Sequence, residues 1–309
     1  FILWISSPED QGESTFIIDA RRSRVGIDVT GPTYDILGGI TGGGKVEVDF
    51  FDTFVNENQP GVRLRHVYWQ AKNDNVRFLV GQTWDVLSPL LPNTVNFSVG
   101  WAAGNVGFRR TQFRVERYFH LLNGNTLTLQ GALAENIIPD LASGPRAVGV
   151  TRETGNWPMI QGRMAYTFQN PYACLPVTFG VSGHVGETGF DFAAGDPSNP
   201  GLGPADDARF FEWSFNVDAK IPITQRMRFQ AEMFTGANLS NILGGIVQGV
   251  CPCLREPIRS TGGWAELSYD LTPYLTTNFG FGIDDPRDQD SLIGRTYNRF
   301  IYALSLIHI

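Results

Sequence analysis

The sequence predicts an all-β fold, a transmembrane antiparallel β-barrel with about fourteen strands in view and about 16 in the complete barrel. Three observations support this prediction. Segments of about ten residues with period-2 alternation recur along the chain and are closed by Gly, Pro, Asn or Asp. Short and long connections between these segments take turns. The composition includes 35 Gly and 12% aromatic residues, but only 18% charged residues.

The alternating segments share one design, with an apolar side chain at every second position and polar side chains between them. In KVEVDFF (45–51), Val46, Val48 and Phe50 share one face, and the polar residues Lys45, Glu47 and Asp49 share the other. The first such segment, 16–30, also carries three arginines in its middle. Comparable alternation marks the segments at 126–133, 160–168, 177–185, 211–220, 226–233, 264–270 and 275–281.

The connections fall into two classes. The short ones lie at 72–75, 120–125, 221–225 and 271–274. The longer ones cover 84–105, 134–158, 187–208, 236–261 and 283–295. Alternation of the two classes indicates consecutive hairpins, with all short turns at one end and all loops at the other, which is the arrangement of outer-membrane barrels.

We expect a single barrel domain over 1–303, incomplete at both ends, and a tail at 304–309 that is not native. The tail LSLIHI can be back-translated into DNA that resembles a transposon-end sequencing adapter. Resequencing tests this hypothesis. A frame that continues differently after Ala303 supports it, and a genuine stop codon after Ile309 contradicts it.

Charge and hydropathy exclude several classes of protein. The net charge is −7 and the pI is about 5.1, which argues against a nucleic-acid partner. No apolar run approaches the ~18 residues of a transmembrane helix. A soluble β-sandwich or β-helix also shows alternation. Lysine is scarce here, however, and aromatic side chains lie at the ends of apolar faces, as membrane girdles do.

The candidate site is a set of arginines and carboxylates on the polar faces. Strand residues two apart share a face, and an arginine facing lipid at the membrane midplane costs about 2–4 kcal/mol. We therefore expect these stacks to face a wet lumen, where arginines opposite carboxylates select solutes. The alternative is that they only neutralise a plugged interior. The predicted pore lining is Arg22, Arg24, Arg63, Arg65, Arg110, Gln112, Arg114, Glu47, Asp49 and Glu116.

The stretch at 83–97 is long, more apolar than a solvated loop should be, and contains two prolines. We expect it to fold into the lumen and narrow the pore, with Asp85 and Ser88 near the constriction. Deletion of 85–96 should then raise the conductance.

Other motifs carry weaker signals. The glycine-rich stretch at 39–46 resembles a phosphate-binding loop, but Val46 stands where Ser or Thr is needed and Lys45 opens a strand, so we expect a turn. Cys251 and Cys253 are too few ligands for zinc, and they form either a local disulfide or two free thiols. No spacing suggests a metal or cofactor site.

The ordered pieces of the sequence resemble the DcaP-type porins over most of 16–303. These pieces are DARRSRVG (19–26), VEVDFF (46–51), RLRHVY (63–68), FLVGQTW (78–84), RRTQFR (109–114), and the NL, GGI and GGWAELSY runs within 238–269. The resemblance implies a homotrimer of 16-stranded barrels in the bacterial outer membrane. It also implies passage of small and often anionic solutes.

We therefore expect an outer-membrane porin, a passive diffusion channel for small hydrophilic, anion-leaning solutes, with membrane lipid as its surroundings and no enzymatic activity. Three alternatives stay open. The chain could be a substrate-specific channel or a non-conducting structural or adhesion barrel. It could also be a membrane-embedded hydrolase that uses Ser182 and His184.

Overall fold

The computed structural model of the chain describes residues 21, 23–51, 61–93, 99–137, 150–192, 206–251, 254–291 and 298–308. No helix within these ranges is long and apolar enough to cross a membrane. The strands in chain order are β1 (Arg24–Tyr34), β2 (Ile40–Asp49), β3 (Arg63–Lys72), β4 (Val76–Trp84), β5 (Val99–Asn105), β6 (Arg109–His120), β7 (Thr126–Ala134), β8 (Val150–Thr154), β9 (Met159–Gln169), β10 (Pro176–Phe192), β11 (Asp206–Pro222), β12 (Met227–Ala237), β13 (Val250–Cys251), β14 (Glu256–Pro257), β15 (Arg259–Thr272), β16 (Leu275–Pro286) and β17 (Asn298–His308). Short 3-10 turns lie at Leu122–Gly124, Leu239–Ile242, Gly245–Val247 and Asp288–Asp290.

One large antiparallel sheet organises the chain. Its strands follow the order β1-β2-β3-β4-β6-β7-β9-β10-β11-β12-β15-β16-β17, and β8 makes it fourteen-stranded by pairing with β10. β8 and β9 pair with opposite ends of β10, so together they fill a single strand position in the sheet. Among the described residues, β1 and β17 are the two ends of this path and no pairing joins them. The predicted all-β, antiparallel architecture is confirmed.

The predicted alternation of short and long connections is also confirmed. Short connections, at 35–39, 73–75, 121–125, 170–175, 223–226 and 273–274, define the turn side of the sheet. Long connections, at 50–62, 85–108, 135–149, 193–205, 238–258 and 287–297, define its loop side.

Several strand boundaries differ from the sequence prediction. β10 and β11 each contain 17 residues, although 187–208 was expected to be a loop. The extra residues lie on the loop side, where Phe190, Phe192 and Phe210 pack together with Val250. A membrane-spanning strand needs only about 9–11 residues. The hairpin is therefore long enough to extend beyond a membrane, stabilised there by its own aromatic cluster.

The glycine-rich stretch is a strand rather than the predicted turn. β2 begins at Ile40, so the glycines at 42–44 lie within the sheet. The turn itself lies just before it, where Gly38 and Gly39 adopt φ values of 84° and 85° that favour glycine. A phosphate-binding loop is followed by a helix, whereas this segment lies in a strand, so it does not have the structure of a phosphate-binding loop.

The first and last strands overlap the predicted strand at 16–30 and the predicted non-native tail at 304–309. β1 begins at Arg24 and continues to Tyr34, whereas residues 16–20 and 22 of the expected strand lie outside the described residues. In the pairing of β16 with β17, the register shifts between Asn278 and Gly280, opposite 303–304. The non-native origin of 304–309 stays a prediction.

The sheet has an apolar face that is exposed and a polar face that is buried. In β1, the apolar side chains at every second position are exposed, with Ile27 at 67%. In β11 the exposed side chains are Phe211, Trp213, Phe215 and Val217, and the buried ones are Glu212, Ser214, Asn216 and Asp218. This distribution inverts that of a water-soluble protein and matches strands with lipid on one side and a polar interior on the other.

Placing an arginine on the apolar face tests this assignment. Phe113 lies in the middle of β6, beside Val80 of β4, and both are exposed. If this face contacts lipid, Phe113→Arg should lower the free energy of unfolding in bilayers by about 2–4 kcal/mol. The control Thr128→Arg, on the polar face of β7, should change it by about 0.5 kcal/mol or less. Equal effects of the two substitutions would contradict the assignment.

Candidate functional site

The charged side chains of β2 and β3 form a cluster on the polar face. Arg63 donates to both carboxylate oxygens of Asp49, from Nε at 2.9 Å and from Nη2 at 2.7 Å. Arg65 donates to Glu47 at 2.6 Å and to Asp49 at 2.9 Å. The ladder shifts register between Glu47 and Val48 and leaves Arg65 as the extra residue of a β-bulge. The bulge explains how all four charges meet.

The predicted row on β6 lies on one buried face. Arg114 donates from Nε to Gln112 Oε1 at 2.9 Å, and its Nη1 lies 3.4 Å from Glu116 Oε1. Arg77, on β4, reaches the same carboxylate oxygen at 3.4 Å. Glu116 is thus shared by two arginines, an arrangement that holds their guanidinium groups side by side.

Arg110 is the most enclosed member of this row, with 1% of its surface exposed. Its Nε lies 2.8 Å from Oδ1 of Asp85. Its two terminal nitrogens donate to the carbonyl oxygens of Glu135, at 3.1 Å, and of Asn241, at 2.7 Å. One side chain therefore joins three segments on the loop side, at the point where 85–108 leaves the sheet.

The segment 85–93, named the constriction loop after the role predicted for it from the sequence, begins by crossing the polar face of β9 and β10. The amide of Val86 donates to Gln161 Oε1 at 3.1 Å, and Nε2 of Gln161 donates to Asp85 at 2.6 Å. The hydroxyl of Ser182 then donates to the carbonyl of Leu87 at 2.7 Å. The loop lies on the sheet rather than in solvent at these positions.

The second half of the constriction loop is held by two glutamates. Glu232, on β12, accepts hydrogen bonds from Ser88 Oγ at 2.5 Å and from the Leu90 amide at 2.8 Å. Glu266, on β15, accepts from the backbone amide of Asn93 at 2.9 Å and from its side chain at 3.0 Å. Backbone donors and buried carboxylates thus fix the loop against the far side of the sheet.

A second segment, 238–258, also folds over the polar face. Leu239 and Ile242 are fully buried and share an apolar cluster with Leu87 of the constriction loop. The Gly107 amide donates to the carbonyl of Ile242 at 2.7 Å. The two loop-side segments therefore pack as one body with an apolar core.

Sequence reasoning treated 236–261 as a long connection and missed this packing. A signal was present in NLSNILGGIV at 238–247, which is more apolar than a solvated loop should be. The same argument was applied to 83–97 and could have been applied here.

The two halves of the polar face differ in how far their charged side chains are exposed to solvent. On the half formed by β1–β4, named the open wall, Arg24 is exposed and the side chains of Lys45, Arg63 and Arg77 keep 26%, 26% and 23% exposure. Asp28, also exposed, faces Lys45 at 3.4 Å. On the half formed by β9–β16, named the covered wall, the acidic side chains Glu212, Asp218, Glu232, Glu266 and Asp284 are all buried.

Ser182 and His184, the pair considered for a hydrolase, have separate partners. Ser182 donates to Leu87, whereas His184 Nδ1 shares a hydrogen bond with Ser214 Oγ at 2.7 Å. A nucleophile and its base need to be within hydrogen-bond reach of one another. Both side chains instead support the interior of the sheet.

Arg22 and the three cysteines are the remaining candidates from the sequence. Arg22 and Cys253 fall outside the described residues. Cys174 is an exposed free thiol and Cys251 a buried one. Within the described ranges, no group of three or more His, Cys, Asp or Glu residues could hold a metal ion.

On the loop side, Asp290 ties the segment that follows β16 to Arg259, the first residue of β15. Nε and Nη2 of Arg259 donate to its carboxylate at 2.7 Å and 2.6 Å. These bonds from Arg259 hold the pKa of Asp290 below its usual range.

Comparison with solved structures identifies the fold. The chain is similar to the outer membrane channel DcaP of Acinetobacter baumannii, with a TM-score of 0.64, 17% identity, and coverage of 87% of this chain and 68% of that chain. A loop-deletion mutant of OmpT, an outer membrane protein of Vibrio cholerae, gives a TM-score of 0.37 at 11% identity, covering 93% of this chain and 90% of that one. A mutant of the Rh. blastica porin gives 0.30 at 11% identity, with the same two coverages.

No protein-family model matches the sequence, and no curated protein matches it. The antiparallel sheet and the similarity to the solved DcaP channel together show that the chain has the fold of an outer-membrane porin.

Proposed function

We propose that the chain forms a closed barrel of about 16 strands in the bacterial outer membrane. In this proposal it is a porin that passes small hydrophilic solutes by passive diffusion, with a preference for anions. The exposed apolar face and the porin-like fold support the membrane location. The proposed homotrimer rests on the resemblance to DcaP-type porins.

The proposed anion preference rests on one observation: the carboxylates of the covered wall are buried, whereas the cations of the open wall are partly accessible to solvent. Carboxylates of the covered wall, such as Glu232 and Glu266, already accept hydrogen bonds from the constriction loop. Cations of the open wall keep part of their surface accessible. A solute that passes between the loop and the open wall meets a net positive field, which lowers the barrier for anions.

The pore-lining role is divided in this proposal. Arg24, Arg63 and Lys45 face the solute path from the open wall. Arg110, Gln112 and Arg114 are buried, so we assign them the task of holding the constriction loop. Asp85 and Ser88 set the width of the path by fixing the loop at its start and near its middle.

Removing charge from the open wall tests the selectivity. Lys45→Gln combined with Arg63→Gln should shift the reversal potential in a salt gradient toward cation preference, because the field loses two positive charges. The control, Arg117→Gln with Arg226→Gln, changes the net charge equally. Arg117 lies on the apolar-face positions of β6 and Arg226 lies in a turn. Equal shifts of the two double variants would contradict the proposed path.

A non-conducting barrel is the second candidate, and the packing of the two loop-side segments favours it. Their shared apolar cluster includes Leu87, Leu239 and Ile242, all essentially inaccessible to solvent. A barrel filled in this way would be stable but closed. Single-channel recording separates the candidates, because a plugged barrel gives no conductance steps.

A further inference from the structure

Arg109, at the start of β6, is a buried cation without a counter-charge of its own. Only 3% of its surface is exposed, and its Nη1 is buried without a hydrogen-bond partner. No hydrogen bond or ion pair joins Arg109 to another residue in the described part of the chain. A buried, uncompensated charge is strongly unfavourable. The neighbouring Arg110, by contrast, is paired with Asp85.

Two aromatic rings flank the guanidinium. Its central carbon lies 4.8 Å from the ring centroid of Trp84 and 5.5 Å from that of Phe108. These rings contribute cation–π stabilisation. A ring face is not a conventional hydrogen-bond acceptor, and the buried Nη1 of Arg109 has no hydrogen-bond partner. An in-plane fork of N–H donors matches the two oxygens of a carboxylate or a phosphate.

The surrounding charges reinforce the attraction for an anion. The strongest electrostatic effects on Arg109 include repulsion by Arg65, Arg63 and Arg24 and attraction by Asp49. Asp49 already receives bonds from Arg63 and Arg65. The cluster therefore carries an excess of positive charge around a guanidinium that has unused donors.

The position of Arg109 couples this site to the constriction loop. Trp84 and Arg109 are paired in the ladder of β4 and β6. Directly beyond them, the Asp85 amide donates to the carbonyl of Phe108 at 2.9 Å, and the Phe108 amide donates to Asp85 Oδ2 at 2.9 Å. The two ends of the segment 85–108 thus meet beside the guanidinium.

We propose that Arg109 binds an oxyanion, a carboxylate or phosphate group, that resides at the base of the constriction loop. The ligand is retained as a counter-ion rather than passed, so the inference does not depend on conduction through the barrel. A free anion and the phosphate of a lipid headgroup share this chemistry.

Binding of inorganic phosphate and of acetate to the purified, detergent-solubilised protein tests the proposal by calorimetry. Wild type should show saturable binding, and Arg109→Gln should weaken it about tenfold or more, as expected for loss of a charged hydrogen-bond donor. Arg109→Lys, which keeps the charge but loses the fork, should bind with intermediate affinity. Arg117→Gln should bind as wild type does. Arg117 also stacks on an aromatic ring, that of Phe119, at 5.2 Å, and donates to the Asn75 carbonyl.

Mass spectrometry of the same preparations distinguishes the source of the anion. A phosphate-bearing lipid that co-purifies with wild type and Arg117→Gln, but not with Arg109→Gln, supports a headgroup ligand even where free phosphate does not compete with the lipid for the site. Two results would overturn the proposal. One is equal anion binding by wild type and Arg109→Gln, and the other is absence of both free-anion and lipid binding in folded wild type.

Discussion

Substitution of Arg110 by Met is expected to lower the free energy of unfolding by about 3–5 kcal/mol, the largest loss of any single substitution considered for this chain. The reason is that the Asp85 carboxylate, whose side chain is 1% exposed, would lose the arginine with which it is paired and would stay buried as an uncompensated charge. The carbonyl groups of Glu135 and Asn241 would lose their donor as well. Denaturant unfolding of the reconstituted protein measures the effect.

A matched control and a double variant make this test specific. Arg228 and Asp270 also form a paired arginine and carboxylate, but their side chains are 38% and 25% exposed. Arg228→Met should therefore cost only about 0–1 kcal/mol. The double variant Arg110→Met with Asp85→Leu should recover part of the loss, because the orphaned charge is removed. Similar costs for Arg110→Met and Arg228→Met would show that the Arg110 pair does not hold the loop-side segments together.

Release of the constriction loop is expected to raise single-channel conductance. Glu232→Ala combined with Glu266→Ala removes the acceptors of Ser88, of Leu90 and of both donors of Asn93. Each unsatisfied donor costs about 1–3 kcal/mol if it stays buried, so the loop should leave the covered wall and turn its amides toward water. The path between the walls widens and the conductance steps grow.

The control for this experiment keeps the loop in place. Asp218 is another buried carboxylate of the covered wall, but it is bound to Arg163 at 3.0 Å and 2.7 Å rather than to the loop. Asp218→Asn should leave the conductance near that of wild type. Deletion of 85–96 is the more drastic form of the same test. Unchanged conductance in both the double variant and the deletion would show that this segment does not limit the path.

Much of the fold could be predicted from the sequence because the period of a strand is local information. The alternation in β11 alone separates Phe211, Trp213 and Phe215 from Glu212, Ser214 and Asn216, and the structure exposes the first set and buries the second. The order of short and long connections then gives the hairpin topology. Neither step requires knowledge of distant contacts.

The state of each polar side chain could not be predicted in this way. Period-2 alternation predicts the face of β6 on which Arg110 lies. It does not predict that two loop-side segments cover this side chain. The bond between Ser88 and Glu232 joins residues 144 positions apart, and no local pattern encodes such a contact. The extension of β10 and β11 was missed for a related reason, since it depends on packing among Phe190, Phe192 and Phe210.

The most direct test of the proposed function is the reversal potential of the unchanged protein in a planar bilayer that separates two salt concentrations. The arrangement of the open and covered walls predicts discrete conductance steps and a reversal potential whose sign reports anion preference. Steps with a cation-selective reversal potential would contradict the proposed charge selection. Absence of steps from folded, inserted protein would contradict the channel itself and favour the plugged barrel.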